Sequence, residues 1–236
     1  GRAARRADRD RTRLRRGDPA IDAVFDAAIA ELKALGAEIV DPVEFPFFAL
    51  QGRRGLYNQL VAAEFKAQIT EWLQTTGPTY PKSFDELVAR ANDPATNYRS
   101  PEKAVALAYT QSIARGLDDP VYLATKNEGL ASMRAAVDAV FAKHRLDAVV
   151  FPTSPRPPTR IDDRAPPQPP FPPPNLANHS GYPDLVVPAG MTPDGLPVSI
   201  SFFGPAFSEA RLLGYGYDFE QATRAIRLPK HTPKLP

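Results

Sequence analysis

The 236-residue sequence contains no cysteine, which excludes disulfides, thiolate nucleophiles and every metal motif built on cysteine. Its three histidines, at 144, 179 and 231, give no ligand spacing, so neither a metal nor another cofactor is expected. No apolar run approaches the roughly 18 residues of a spanning helix, and no charged-then-apolar signal peptide opens the chain. The expectation is a cytoplasmic protein with no membrane partner. The chain starts at Gly1 rather than Met, and its natural start is expected to lie outside this sequence.

What is present is ample for a core. At 43% hydrophobic residues, the chain can form one large domain or part of a bigger one. Charge is spread unevenly. Residues 1–16 hold eight arginines against Asp8 and Asp10, and the remainder has 21 basic and 25 acidic residues. A mildly acidic body therefore follows a basic arm. Such an arm can grip phosphates without sequence preference, which makes a nucleic-acid-binding module the alternative function. Against it, the arm has no interleaved aromatics for stacking, and no docking motif follows. So polar a segment cannot bury enough apolar surface to order itself, and residues 1–17 are expected to be disordered.

After the arm, Asp18-Pro19 reads as a helix start, because Asp accepts from orphan N–H groups and Pro presets the first turn. Ile21, Val24, Phe25, Ala28, Leu32 and Leu35 recur at helical spacing, and Gly36 supplies the left-handed stop. Ala37–Val40 reads as a short strand ended by Asp41-Pro42. Helix, glycine and strand form the descending half of an α/β unit, whose first strand should lie upstream, where only arginines stand.

Phe45–Leu50 is an apolar turn region. Leu56 to Gln74 reads as a helix, with Tyr57, Leu60, Val61, Phe65, Ile69, Trp72 and Leu73 on its buried side. Trp72 is expected in the core, with a ligand platform as the alternative. Ser83-Phe84-Asp85-Glu86 is a capping box. Ser100-Pro101 and Asp119-Pro120 start two more helices, the last running to about His144 with Leu123, Leu130, Val137, Val140 and Phe141 inward. His144 is expected to complement that helix's dipole. Together these helices, about 54–145, read as a flank or lid.

Asp147–Phe151 reads as a buried strand by length and β-branching. From Pro152 to Pro174, 11 of 23 residues are proline, an extended crossing that can neither pair nor coil. Its P-x-x-P spacing leaves an SH3-type ligand role as the alternative. Asn175–Tyr182 is a compact turn or short helix. Asp184–Met191 and Leu196–Phe203 are paired strands joined by Thr192-Pro193-Asp194-Gly195, whose residues are turn formers. Ser208 caps a last helix that turns Leu212, Leu213, Phe219 and Ala222 inward. The fold class is α/β: part of a mixed, twisted sheet with helices on both faces.

A series of motifs in fixed order then carries a family resemblance. Leu146-Asp147-Ala148-Val149-Val150-Phe151-Pro152-Thr153-x-Pro155 is followed by Asn175-Leu176-Ala177, Pro188-Ala189-Gly190 and Asp194-Gly195-Leu196-Pro197-Val198. Phe203-Gly204 and a helix ending Phe219-Glu220-Gln221-Ala222-Thr223 complete it. Over residues 18–233 the chain resembles the C-terminal part of amidase-signature enzymes. The resemblance implies the corresponding part of the amidase fold over 18–236, with strands and pocket walls at 147–224. It also implies hydrolysis of carbon–nitrogen amide bonds by a serine nucleophile, a second serine in a cis peptide link, and a lysine. That lysine, held neutral, draws the proton through one serine from the other, and backbone N–H groups of a glycine-rich loop hold the oxyanion.

Those parts belong to the family's N-terminal half. The sequence has no Gly-Ser-Ser-Gly-like stretch and no Gly-x-Ser-x-Gly elbow, so no residue receives a catalytic role. The family would also place a Gly-x-x-Ile-Gly-Val strand where the arginines stand. A shifted reading frame in GC-rich coding sequence would produce such a run. Thr153 and Asn175, with Leu176, match positions beside the family's substrate pocket, where a hydroxyl or amide can orient a substrate; capping the strand end and tying down the turn are the alternatives. The resemblance thus implies a C-terminal portion of an amidase-type hydrolase, inactive alone, with a small amide as substrate once the other half completes it and a homo-oligomer as one possible assembly. A self-contained hydrolase would need a Ser/His/acid set from His179, Ser180 and Asp184, which only geometry can establish.

Overall fold

The computed structural model describes residues 18–46, 56–98, 100–158 and 176–228. The arginine arm, the strand expected upstream of Asp18, most of the proline-rich crossing and Asn175 lie outside the described residues. The chain forms two compact units, one from Gly1–Leu50 and Ala135–Pro236, the other from Gln51–Arg134.

In the first unit, β1 (Val149–Pro152), β2 (Asp184–Met191) and β3 (Pro197–Phe203) form a sheet in the order β1-β3-β2, antiparallel throughout. The hairpin between β2 and β3 follows from its turn: the Gly195 amide donates to the Thr192 carbonyl (2.9 Å) at a φ of +85°, which favours glycine. Alternation along the strands then sends side chains to two faces.

Ile200 and Phe202 of β3, with Val187 of β2, meet α1 (Pro19–Ala34) and α8 (Glu209–Thr223) in one core cluster. As the sequence predicts, Asp18 caps α1, accepting from the Ala20 amide at 2.8 Å, and Phe25, Ala28 and Leu32 are buried. Phe203 of β3 and Val149 and Phe151 of β1 point the other way. They meet Val137, Val140 and Phe141 of α6 (Leu130–His144) and Leu176 of α7 (Leu176–Ser180). Helices therefore cover both faces of the sheet, and each fully buried large side chain contributes roughly 1.5–3 kcal/mol.

Several expectations in this unit need correction. Residues 37–40 are extended but belong to no ladder among the described residues; apolar alternation cannot make a strand without a neighbour to pair with, and only Ile39 tucks against the core. Along α8 the buried stripe is Leu212, Gly216 and Phe219, while Leu213 and Ala222 are exposed. Gly216 is what lets the helix approach β2, since a Cβ there would stand 2.5 Å from Leu185 Cδ2. Ser208 begins α8 without capping it through its side chain; its hydroxyl donates instead to the Pro205 carbonyl at 2.7 Å.

The second unit contains α2 (Asn58–Gln74), α3 (Phe84–Asn92), α4 (Pro101–Ile113), α5 (Pro120–Ala124) and a π-helical turn at Thr125–Gly129 that leads into α6. Ser83 caps α3 by accepting from the Glu86 amide (3.1 Å), and the Glu86 carboxylate accepts from the Lys82 amide (2.8 Å) rather than from the cap itself. The π turn inserts one residue into the helical phase. The buried stripe accordingly runs through Tyr122 before it, Thr125 at its start and Met133, Val137 and Phe141 after it, which leaves Leu123 outside, contrary to expectation.

Trp72 is also not core: it is 59% exposed. The buried side of α2 is its small-residue side, Leu60, Ala62, Ala63 and Leu73, where neighbouring helices approach closely. Val61, Phe65 and Trp72 share the opposite stripe. Phe65 nevertheless keeps an edge-on contact with Phe84 at 5.5 Å. As the only tryptophan, Trp72 makes this testable. Acrylamide should quench native fluorescence nearly as well as that of the unfolded chain, and strong protection would contradict the placement.

Candidate functional site

Thr153 stands where β1 runs out. Its amide continues the ladder, donating to the Ser199 carbonyl at 3.0 Å, and its hydroxyl lies 3.0 Å from that of Ser201. Alternation puts the side chains of Thr153, Ser201 and Asp184 on one face of the sheet, on three successive strands. Ser201 is fully buried, and Asp184 of β2 is its diagonal neighbour on the same face. The result is a polar diagonal, Asp184–Ser201–Thr153, crossing the whole sheet beside the aromatic cluster. Loss of hydration holds Asp184 above the usual aspartate range, outweighing the hydrogen bond from Ser201 that pulls it down.

Beside Thr153 opens a pocket of about 170 Å³. Asp18, Ile21, Arg156, Thr192 and Asp194 line it with Thr153. Asp18, Thr192 and Asp194 are fixed by local devices. The Asp18 amide donates to the Pro155 carbonyl at 3.0 Å, joining the start of α1 to the segment after β1. Thr192 donates its hydroxyl to Asp194, and its backbone amide reaches the Leu196 carbonyl at 2.8 Å. The lining thus sets acidic, hydroxyl and guanidinium residues among apolar ones, suited to holding a small polar group in one orientation.

Of the residues singled out in the sequence, Thr153 lies on this pocket; Asn175 lies outside the described residues, while its neighbour Leu176 is buried in the aromatic core. His179, Ser180 and Asp184 are not brought together as a triad. The Ser180 hydroxyl donates to the Leu176 carbonyl at 2.6 Å and accepts from the Tyr182 amide at 3.2 Å, while Asp184 stands on β2 opposite Phe203. His144 sits in the last turn of α6, as expected.

Three of the four lysines of the second unit are engaged as cations. Lys66 pairs with Asp85 (3.3 Å), and Lys82 donates to the Thr76 carbonyl (2.6 Å). Lys126 donates to the Tyr122 hydroxyl (2.9 Å) and to Glu64 (3.0 Å), and these two partners hold its pKa above the ordinary lysine range. Partial burial pushes Glu64 upward, but hydrogen bonds from Lys126 and Tyr122 prevail and hold it below its usual value. A lysine base must be neutral, so this cluster is built for the opposite state.

Ser201 is the member of the site that sequence reasoning missed. The signal was present: in Val198-Ser199-Ile200-Ser201-Phe202 the serines occupy every second position, which marks one polar sheet face.

Among the described residues no helix is long and apolar enough to cross a membrane. A family model described as Amidase matches residues 9–213. The chain is 26% identical over 216 residues to a glutamyl-tRNA(Gln) amidotransferase subunit of Azotobacter vinelandii, covering 87% of this chain and 42% of that protein. To the corresponding protein of a Synechococcus species it is 29% identical over 214 residues, covering 85% and 39%. The native peptide amidase of Stenotrophomonas maltophilia superposes with a TM-score of 0.71 at 32% identity, over 88% of this chain and 41% of that one. The chain therefore spans about two fifths of the length of these relatives.

Proposed function

The chain belongs to the amidase family, and from that premise we propose that it forms the C-terminal wall and scaffold of a hydrolase of carbon–nitrogen amide bonds. Thr153 and its pocket orient a small amide substrate. The nucleophile, base and oxyanion hole come from a further segment rather than from these residues. The observation that carries this reading is the state of the serine hydroxyls around the sheet. Ser154, Ser180 and Ser208 donate to backbone carbonyls at 2.6–2.9 Å, the Ser201 hydroxyl lies 3.0 Å from that of Thr153, and Ser199 lines a pocket whose lining holds no lysine or histidine to serve as its base. A serine nucleophile needs a base to take its proton, and a hydroxyl already committed to a carbonyl is not offered to one. The likeness to a peptide amidase supports the amide as the bond class.

Incubating the purified chain with simple primary amides tests the proposal. No ammonia above the uncatalysed background is expected. Turnover that copurifies with the chain through successive columns would overturn it.

A further inference from the structure

In a regular α-helix, residues eight apart point about 80° away from each other. Tyr122 and Leu130 are eight apart, yet both pack in one cluster with Leu60 and Ala63 of α2. The π turn at Thr125–Gly129 makes this possible, because it absorbs one residue and brings the two to within about 20° of one line. The Leu130 amide accordingly donates to the Thr125 carbonyl, five residues back, where a regular helix would use the carbonyl of Lys126. At the exit of the turn, a Cβ on Gly129 would stand 3.3 Å from Leu56 Cδ1, so the glycine admits a close approach. The entrance is held by polar bonds. Lys126 Nζ donates to the Tyr122 hydroxyl (2.9 Å) and to Glu64 Oε1 (3.0 Å), and the Tyr122 hydroxyl donates to the same Glu64 oxygen (2.9 Å). A lysine only donates and a carboxylate only accepts. The hydroxyl of the buried Tyr122 does both, and the three bonds close into a triangle.

We infer that Glu64, Tyr122 and Lys126 form a latch that selects between two registers of α5 against α6: the π register, and one in which both run on as a single regular α-helix. Two observations support a second register. The sequence carries an apolar stripe for each. Leu123, Leu130 and Val137 stand seven apart, which in an unbroken helix sets all three on one face. In the π register Leu123 is instead 42% exposed, and Tyr122 takes its place beside Leu130. Going from one register to the other turns α5 by one residue, roughly 100°, and exchanges a tyrosine for a leucine against α2. The second observation is where the polar bonds act. Leu60 and Ala63 meet residues on either side of the turn, whereas the triangle grips Lys126, a residue of the turn itself. It satisfies the Tyr122 hydroxyl only while Tyr122 faces α2, so its three bonds favour the π register alone.

Scalar coupling across hydrogen bonds reads the register directly in the full chain by NMR. The Leu130 amide nitrogen should couple to the carbonyl carbon of residue 125 in the wild type and in Lys126→Arg, which keeps a cationic donor. In Tyr122→Phe, which removes only the hydroxyl, and in Lys126→Met, which keeps the apolar stem, the coupling should move to residue 126. A coupling that stays at residue 125 in either of these two, or that is lost from both carbonyls, overturns the latch. Hydrogen exchange across residues 58–74 gives a second readout. Leu123→Ala should leave it unchanged in the wild-type background, where Leu123 is exposed. In the Lys126→Met background the same substitution should speed it by at least about tenfold, because Leu123 is then buried. Equal effects in the two backgrounds overturn the second register.

Discussion

Phe203→Ala is expected to destabilise the sheet-centred unit by about 3–5 kcal/mol. Phe203 is fully buried at the end of the central strand, so its ring is held from two sides. Phe141 of α6 packs against it at a centroid distance of 5.8 Å, and Tyr182 stacks at 6.4 Å. Val149, paired opposite it on β1, and Leu176 of α7 belong to the same cluster. Those neighbours sit on different elements, each anchored elsewhere, so none can collapse into the cavity without breaking other contacts. Most of the transfer term and most of the cavity term should therefore be felt. Urea unfolding should show a lower midpoint with an unchanged slope. A loss below about 1 kcal/mol would mean that this cluster is not the packed core described.

A comparable loss, again about 3–5 kcal/mol, is expected in the helical unit from Phe84→Ala. Phe84 is fully buried at the first position of α3, directly after the Ser83 cap, and its amide donates to the Thr70 hydroxyl of α2 at 3.1 Å. Its ring meets Phe65 edge-on at 5.5 Å with an interplanar angle of 85°, a geometry that adds about 0.5–1.5 kcal/mol to the area term. One residue thus joins α2 to α3 through both its backbone and its ring. Since a chain of two units need not unfold in one step, the effect is best read locally. Hydrogen exchange should show lost protection across residues 58–74 and 84–92. Unchanged protection in both helices would contradict the placement of Phe84.

Elements carrying their own local chemistry were legible in the sequence. Asp18 before Pro19, Ser83 before Asp85-Glu86, and Thr192-Pro193-Asp194-Gly195 between two β-branched runs each fix structure within a few residues. The structure shows the first two as caps and the third as a hairpin turn. What could not be read depends on partners distant in sequence. The stripe containing Trp72 looks like a core face, but close approach of neighbouring helices favours the alanine side of the same helix. Leu123 was misplaced because a π turn five residues long shifts the helical phase, and apolar spacing alone does not announce it. Residues 37–40 have a strand's composition without a described partner.

The site divides the same way. Thr153 was reached through the Phe151-Pro152-Thr153 motif, and it lines the pocket. Ser201 and its contact with Thr153 emerge only once the strands are set in register, because the two residues are 48 positions apart in sequence.

The central claim is that these residues build a substrate-facing wall and scaffold while the nucleophile comes from elsewhere. A fluorophosphonate reports it directly, since such reagents phosphonylate a serine whose proton is drawn off by a base and ignore ordinary hydroxyls. After incubation of the folded chain, intact-mass measurement should find the unmodified protein alone. A stoichiometric adduct that maps to one serine and is lost on unfolding would contradict the account.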